Sequence, residues 1–233
     1  MFGFGRAKRT PPPLEAVFVS ETGLVRSENQ DNVLVSINHQ VFCVADGMGG
    51  GAEGAKASDV VCRELKMTVH VSEAEFYARV TATQNAIVDA NYEIFTYARE
   101  RGYGQMGSTA AILVFDPASR ARAAVIHVGD SRVYRIRRGF GERLTRDHRV
   151  VGGNALTRAV GATATVRCDI REVDVQPGDR FVLCSDGVSS VISDARIAVF
   201  ASGGALEDAA GRLAEEVVKA GAPDNYSFVL ISA

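Results

Sequence analysis

The sequence predicts an α+β fold in which two stacked, mostly antiparallel sheets each carry a pair of helices on the outer face. Three observations support this prediction. Short apolar or alternating runs typical of strands are numerous, the helical patterns occur in two pairs, and strands and helices do not alternate as in a parallel sheet. With 233 residues, 46% of them hydrophobic, the chain can build a sizeable core.

The elements follow one another in a clear order. Strand patterns come first, at about 14–20, 32–37 and 40–45. Two helical patterns follow at 52–69 and 72–101, and Ser72 and Glu75 form an S-x-x-E capping box at the start of the second. Further strand patterns lie at 110–115, 123–128, 132–136, 166–173 and 180–184. The last helices are predicted at 193–201 and 205–220, with a closing strand at 226–231. Two sheets with a helix pair outside each would bury every apolar stripe.

Composition indicates one domain at 14–233 behind a flexible N-terminal lead at 1–13, where basic residues precede Pro11-Pro12-Pro13. The net charge of -2 favours neither nucleic acid nor membrane binding. The sequence shows no apolar run of transmembrane length and no signal peptide pattern. The four cysteines form no CxxC pair, which favours reduced, buried thiols in a cytoplasmic protein. A monomer is the default expectation.

Four aspartates stand out because each adjoins a strand pattern. They are Asp46, Asp130, Asp186 and Asp224. Each alone is typical of a turn. Together they suggest a single site assembled by the fold, and clustered carboxylates require a cation. Since no cysteine or histidine pair is nearby, oxygen ligands favour Mg²⁺ or Mn²⁺ over Zn²⁺.

Two further residues complete this candidate site. Gly47 follows Asp46 and, lacking a side chain, could turn its carbonyl toward a metal. Arg26 lies between two strand patterns and could bind a phosphate through two parallel hydrogen bonds. A solvated loop arginine is the alternative for Arg26.

Eight short motifs follow one another along the chain. They are Arg26-x-x-Asn29-Gln30-Asp31, Asp46-Gly47-Met48-Gly49-Gly50, Gly107-Ser108-Thr109-Ala110, His127-Val128-Gly129-Asp130-Ser131-Arg132, Leu144-Thr145-Arg146-Asp147-His148, Leu156-Thr157-Arg158-Ala159-Val160-Gly161, Cys184-Ser185-Asp186-Gly187 and Asp224-Asn225. Together they resemble the metal-dependent protein phosphatase (PPM, type 2C) family in its bacterial form. The resemblance runs from about residue 15 to the end of the chain and implies a four-layer α-β-β-α sandwich.

The resemblance also implies roles for individual residues. Asp46 would bridge two Mn²⁺ or Mg²⁺ ions, with the Gly47 carbonyl on the second ion. Asp186 and Asp224 would hold the first ion. The remaining implied residues are Asp31 and Asn225 just outside the ligands, Asp130 at a third, weaker metal, and Arg26 on the substrate phosphate.

The implied activity is hydrolysis of phosphoserine and phosphothreonine in proteins, whose phosphates a bacterial serine/threonine kinase would have added. A water shared by two cations loses its proton near neutral pH and can attack phosphorus directly. Arg26 and the ions would stabilise the charge on the phosphoryl oxygens. This reaction needs no covalent enzyme intermediate.

The sequence departs from the family pattern in three places. Met48 stands where animal members have a histidine thought to protonate the leaving group. The sequence therefore does not identify the general acid. Gln30 stands where many members have glutamate. The segment 149–155 is far shorter than the helical flap of many bacterial relatives, which predicts a more open cleft with different substrate and third-metal selection.

Two other functions are compatible with parts of the sequence. A catalytically silent phosphatase-like module that binds a partner would share the fold, although such a module would be expected to lack metal-binding acids. Gly49-x-Gly51-x-x-Gly54 also satisfies the dinucleotide-binding fingerprint. That alternative requires a parallel strand after one helix, whereas a second helical pattern follows here.

Overall fold

The computed structural model of the chain describes residues 13–49, 52–69, 75–153 and 155–233. The predicted N-terminal lead lies outside these ranges except for its last residue, and so does Ser72 of the predicted capping box. None of the helices in the described ranges combines the length and the apolarity that a membrane crossing requires.

Eleven strands are found in the described ranges, and they form two sheets. The six-stranded sheet has the order β2-β3-β5-β6-β9, with β4 paired to β3. Its strands are β2 (Asp31–Ser36), β3 (Val41–Met48), β4 (Gly107–Ser108), β5 (Ala110–Phe115), β6 (Arg122–Val128) and β9 (Asp169–Asp174). The five-stranded sheet has the order β1-β11-β10-β7-β8. Its strands are β1 (Glu15–Glu21), β7 (Arg132–Arg137), β8 (Phe140–Arg143), β10 (Arg180–Cys184) and β11 (Tyr226–Ser232).

The helices cover the outer faces of the two sheets. They are α1 (Ala52–Val69), α2 (Phe76–Arg101), α3 (Asp186–Ser189), α4 (Asp194–Ala201) and α5 (Leu206–Lys219). One buried cluster joins α1 and α2 to the six-stranded sheet, and a second joins α4 and α5 to the five-stranded sheet. A third cluster lies between the sheets. Three cores between four layers confirm the predicted fold class.

The alternation along β3 shows how one strand serves two of these cores. Cys43 packs toward the helices, whereas Phe42 packs toward the other sheet, because successive side chains of a strand point to opposite faces. The ring of Phe42 meets Phe115 edge to face at 6.0 Å, and Phe115 meets Phe181 at 5.5 Å. These rings connect β3 and β5 of one sheet with β10 of the other.

The dinucleotide-binding alternative is wrong. Every strand pairing in the described ranges is antiparallel, including those of β3 with β2 and β5. Among the described residues, the elements that follow β3 are α1 and then α2, with no strand between the two helices. A dinucleotide site requires a parallel strand after the first helix, and the described part of the chain contains none.

Several element boundaries differ from the sequence prediction. Helix α2 begins at Phe76 with Glu75 as its N-cap residue, and no side-chain hydrogen bond caps it. The predicted capping box is therefore wrong, since Glu75 precedes the helix instead of lying in its first turn. The elements β4, β8 and α3 were not predicted because two to four residues carry no readable periodicity. All four cysteines are free and buried, as predicted.

The two sheets bring distant strand ends to one edge of the molecule. Asp46, near the end of β3, pairs with Asp31, the first residue of β2. Asp186 begins α3 two residues after β10 ends, and Asp224 lies two residues before β11. Asp130 lies in the connection from β6 to β7, where the chain crosses between sheets.

Candidate active site

A cleft of about 990 Å³ opens at this edge. Four aspartates line it, Asp46, Asp130, Asp186 and Asp224, together with Glu28 and three arginines, Arg26, Arg99 and Arg149. Gly47, Met48 and Asn225 also line the cleft, and Asp31 lies beneath it, buried. The fold thus brings together the candidate residues that the sequence analysis singled out.

Short hydrogen bonds fix the backbone at Asp46. Its N–H donates to Oγ1 of Thr109 at 2.9 Å, and the N–H of Thr109 donates to the carbonyl of Asp46 at 2.8 Å. The hydroxyl of Ser108 donates to the same carbonyl at 3.1 Å. The Gly107-Ser108-Thr109 motif therefore positions the central acid of the cleft.

Gly47 occupies a position that admits no side chain. A Cβ atom there would lie 2.0 Å from the carbonyl oxygen of Gly54 and 2.7 Å from that of Gln30. The N–H of Gly47 donates to the Gln30 carbonyl at 3.1 Å. Glycine is thus required so that α1 and the loop before β2 can approach the end of β3 closely.

Asn225 connects the start of β11 to the loop that carries Arg26. Its amide nitrogen donates to the carbonyls of Thr22 and Glu28, both at 2.8 Å. Its Oδ1 accepts a hydrogen bond from the N–H of Gln30 at 2.9 Å. The side chain thus positions the Arg26 loop against Asp224, a role that the sequence did not indicate.

Asp31 is a buried carboxyl with one free oxygen. Its Oδ2 accepts a hydrogen bond from the hydroxyl of Ser185 at 2.7 Å, whereas its Oδ1 has no partner in the described part of the chain. Burial raises the pKa of Asp31 to about 7, an effect opposed by hydrogen bonds from Ser185 and Ser227. An unpartnered buried oxygen beside a cleft points to a ligand or water as its missing partner.

Burial and neighbouring charges raise the pKa values of two acids of the cleft, Asp46 and Asp130. Burial raises the pKa of Asp46 well above its usual range, and the charges of the surrounding acids raise it further. Burial and the charge of Asp186 likewise raise the pKa of Asp130, although Arg149 opposes them. Bound cations would relieve this repulsion, and the donor set of oxygens fits hard divalent ions.

Two arginines hold three of these acids. Arg26 donates to both oxygens of Asp224 at 2.8 Å each, and Arg149 donates to Asp130 and Asp186. As the side chains lie, no three acidic, histidine or cysteine residues of the described ranges are arranged to hold one ion. Arg26 occupies both carboxylate oxygens of Asp224, so an ion bound to Asp224 must replace Arg26 as its partner.

Arg149 was missed in the sequence analysis. It lies in the shortened segment, which forms a tight turn in which Arg149 pairs with Leu156 in an isolated bridge. The N–H of Val150 donates to the carbonyl of Ala155 at 2.9 Å. Its position directly after the Asp147-His148 motif, where the chain departs from the family pattern, was the available signal.

The histidines in the described ranges lie outside the cleft lining. His148 accepts a hydrogen bond from the N–H of Gly129 at 3.1 Å and its other ring nitrogen contacts Asp169, so its contacts are structural. His70 lies outside the described residues. No described histidine can therefore substitute for the proton donor that Met48 replaces.

His127 gives a stability prediction of its own. It is buried on β6, its ring packs 4.8 Å from that of His148, and burial lowers its pKa to about 4. Asp169 and Asp147 oppose this shift. Because the unfolded histidine titrates near 6.5, the unfolded chain binds more protons between these values, and stability falls as pH drops through that window.

We expect His127→Gln to remove this part of the pH dependence. Between pH 7 and pH 5 the wild type should lose about 2 kcal/mol more unfolding free energy than the variant. Urea denaturation at the two pH values measures the difference. The control variant His39→Gln, in the turn after β2, should keep the wild-type slope, and equal slopes for wild type and His127→Gln would contradict the assignment.

The family comparison agrees with this geometry. The sequence model described as Protein phosphatase 2C matches residues 25–220. The chain belongs to the protein phosphatase 2C family. The match includes Asp46, Asp130 and Asp186 together with Arg26 and Arg149 and ends before Asp224, and it confirms the resemblance seen in the motifs.

Individual relatives of this phosphatase 2C family member are bacterial. It is 30% identical over 236 residues to the serine/threonine protein phosphatase PstP of Mycobacterium tuberculosis, an alignment that covers 91% of this chain and 43% of PstP. The chain therefore spans less than half the length of that relative. It is 28% identical to the serine/threonine phosphatase stp of Listeria innocua, covering 94% of this chain and 95% of stp.

A solved structure with a similar fold agrees with the family assignment. PppA of Pseudomonas aeruginosa, described as a key regulatory component of T6SS, superposes with a TM-score of 0.90 at 31% identity, covering 96% of this chain and 99% of PppA. The present chain and PppA therefore share one architecture along nearly their whole lengths.

Proposed function

We propose that this protein is a metal-dependent protein serine/threonine phosphatase. The observation that carries the proposal is the convergence of four carboxylates from separate strand ends in one cleft with Arg26. A basic group suited to phosphate beside acids suited to divalent ions matches the needs of phosphate ester hydrolysis. The phosphatase names of the relatives PstP and stp support the same activity.

The residues that would hold two Mn²⁺ or Mg²⁺ ions are Asp46, the carbonyl of Gly47, Asp186 and Asp224. When bound, the ions supply Lewis acidity and an acidified water. A structure of the PstP catalytic domain, 29% identical with a TM-score of 0.82, is described as a complex with two manganese ions. Asp31, whose Oδ1 faces no partner in the described ranges, is suited to accept a hydrogen bond from a water at this centre.

Arg26 is proposed to exchange the carboxylate of Asp224 for the phosphate of the substrate. The present ion pair joins side chains that are 57% and 36% exposed, and water screens such pairs strongly. Little free energy therefore opposes the exchange. The planar guanidinium offers a phosphate the same two parallel hydrogen bonds that it now gives to Asp224.

Replacing Arg26 should therefore lower the catalytic efficiency toward a phosphorylated substrate. Arg26→Ala should lower kcat/KM for a phosphothreonine peptide by about 10²-fold, and Arg26→Lys should recover part of the loss because it keeps the charge but not the paired geometry. Steady-state kinetics with saturating Mn²⁺ measure this. Arg196→Ala is a matched control, since Arg196 is equally exposed, at 57%, and also pairs with an acid, Glu216. Equal effects at the two positions would contradict the role of Arg26.

The proposed substrates are proteins phosphorylated on serine or threonine by a bacterial kinase of that specificity. The proposed setting is the cytoplasm, with the chain acting as a monomer and binding neither nucleic acid nor membrane. The free, buried cysteines support a reducing compartment.

Phosphate release from a phosphothreonine peptide tests the activity. We expect turnover that depends on Mn²⁺ or Mg²⁺ and stops when the ions are chelated. The catalytically silent binding module is the other candidate, favoured only by the shortened segment at the cleft rim. Absence of turnover with every divalent ion tested, in a folded protein, would decide for that module.

A further inference from the structure

The guanidinium of Arg149 lies between two carboxylates of the cleft. Its Nε donates to Oδ2 of Asp130, and its Nη2 donates to Oδ2 of Asp186 at 2.5 Å. The side chain of Asp130 is 6% exposed and that of Arg149 is 25% exposed, so water screens this contact less than a surface ion pair. One permanent positive charge thus lies between two acids and reduces their mutual repulsion.

Arg149 reaches these acids from backbone that is fastened beside Asp130. The N–H of His148 donates to the carbonyl of Gly129 at 2.8 Å, and the N–H of Gly129 donates to Nδ1 of His148 at 3.1 Å. The bridge to Leu156 holds the other side of the turn. Because Gly129 precedes Asp130 and His148 precedes Arg149, both side chains start from fixed points, and little conformational entropy is lost when they pair.

The pairing of Arg149 with Asp130 and Asp186 blocks one metal-binding position in the cleft and leaves the others available. A guanidinium carries only donors and cannot ligate a metal, and its charge repels a divalent ion from the space between Asp130 and Asp186. Arg149 uses Oδ2 of Asp186, whereas no hydrogen bond in the described ranges uses Oδ1. Asp186 can therefore bind an ion on one oxygen while it holds Arg149 on the other.

We infer that Arg149 takes the place of a third divalent ion, so that the chain binds two ions at saturation and bridges Asp130 and Asp186 with its own side chain. The inference rests on the proposed two-ion phosphatase site. It replaces the third, weaker metal that the motif resemblance implied at Asp130. Because the guanidinium of Arg149 is part of the chain, it is present at every Mn²⁺ concentration. The Mn²⁺ binding curve should therefore show no additional weak phase after the first two ions.

The number of Mn²⁺ ions bound per chain tests this inference. Equilibrium dialysis with elemental analysis across a Mn²⁺ titration should give two ions for the wild type and for Arg149→Lys. The control Arg146→Ala, exposed and three positions away, should also bind two. Arg149→Ala should bind a third ion, and the double variant with Asp130→Asn should return to two.

The outcomes separate the inference from the proposed function. Three ions on the wild type, or only two on Arg149→Ala, would overturn the inference and leave the phosphatase proposal intact. No Mn²⁺ on the folded wild type would overturn the phosphatase proposal. If Arg149→Ala does not fold, Asp130→Asn alone decides: an unchanged count of two supports the inference, and the loss of one ion overturns it. A higher KM in Arg149→Ala without a third ion would make Arg149 a phosphate ligand instead.

Discussion

Asp46→Asn should abolish phosphate release, lowering kcat by about 10³-fold or more, while making the metal-free protein more stable. The loss follows because Asp46 is the acid placed between the other candidate ligands, and asparagine lacks the charge that holds two cations. The gain follows because burial and the neighbouring acids raise the pKa of Asp46 well above its usual range. For an acid whose pKa is raised by folding, stability falls as pH rises above the value in the unfolded chain.

The size of the stability gain should be on the order of 1 kcal/mol at neutral pH in chelator. Thermal unfolding with and without Mn²⁺ measures it: the metal-free variant should melt above the metal-free wild type, and Mn²⁺ should stabilise the variant less. Asp89→Asn, on the exposed face of α2, should change neither activity nor stability. Turnover within tenfold of the wild type, or a lower melting temperature in chelator, would contradict this account of Asp46.

Gly187→Ala should damage both the fold and metal binding. A Cβ atom on Gly187 would lie 1.9 Å from the carbonyl oxygen of Asn225, a contact that only backbone movement can relieve. We expect a loss of at least about 3 kcal/mol of unfolding free energy. Because Asp186 and Asp224 flank this contact on its two sides, any movement also separates two candidate ligands of one ion.

A glycine in a helix without close neighbours provides the control. Gly211 lies inside α5, and a Cβ atom there would meet nothing within 4 Å. Gly211→Ala should therefore stabilise the protein by about 0.5–1 kcal/mol through its higher helix propensity. Urea denaturation and Mn²⁺ titration of both variants make the comparison. Similar changes in unfolding free energy and Mn²⁺ binding for the two variants would contradict the expected effect of the contact at Gly187.

The residues that could be predicted from the sequence are those that mark strand ends. Asp46 and Asp186 follow apolar runs long enough to be recognised as strands, so their placement at sheet edges followed from the pattern. The four layers were predictable for the same reason, since each helical stripe needed an apolar face to cover.

Contacts between distant loops could not be predicted in this way. Arg26 and Asp224 are 198 positions apart, and nothing in either segment indicates that they pair. Arg149 lies in a turn whose course depends on two hydrogen bonds between Gly129 and His148, one of them through the His148 side chain. Helix α3 has four residues, too few for a periodic signal, although it presents Asp186 at the cleft.

The central claim is that this cleft is a two-ion phosphatase centre, and anomalous X-ray diffraction from crystals grown with Mn²⁺ tests it most directly. The account predicts two manganese peaks beside Asp46, contacted by Asp186 and Asp224, with Arg26 released from Asp224. Arg149 should remain between Asp130 and Asp186. An absence of manganese in this cleft, or manganese bound only elsewhere on the chain, would contradict the claim.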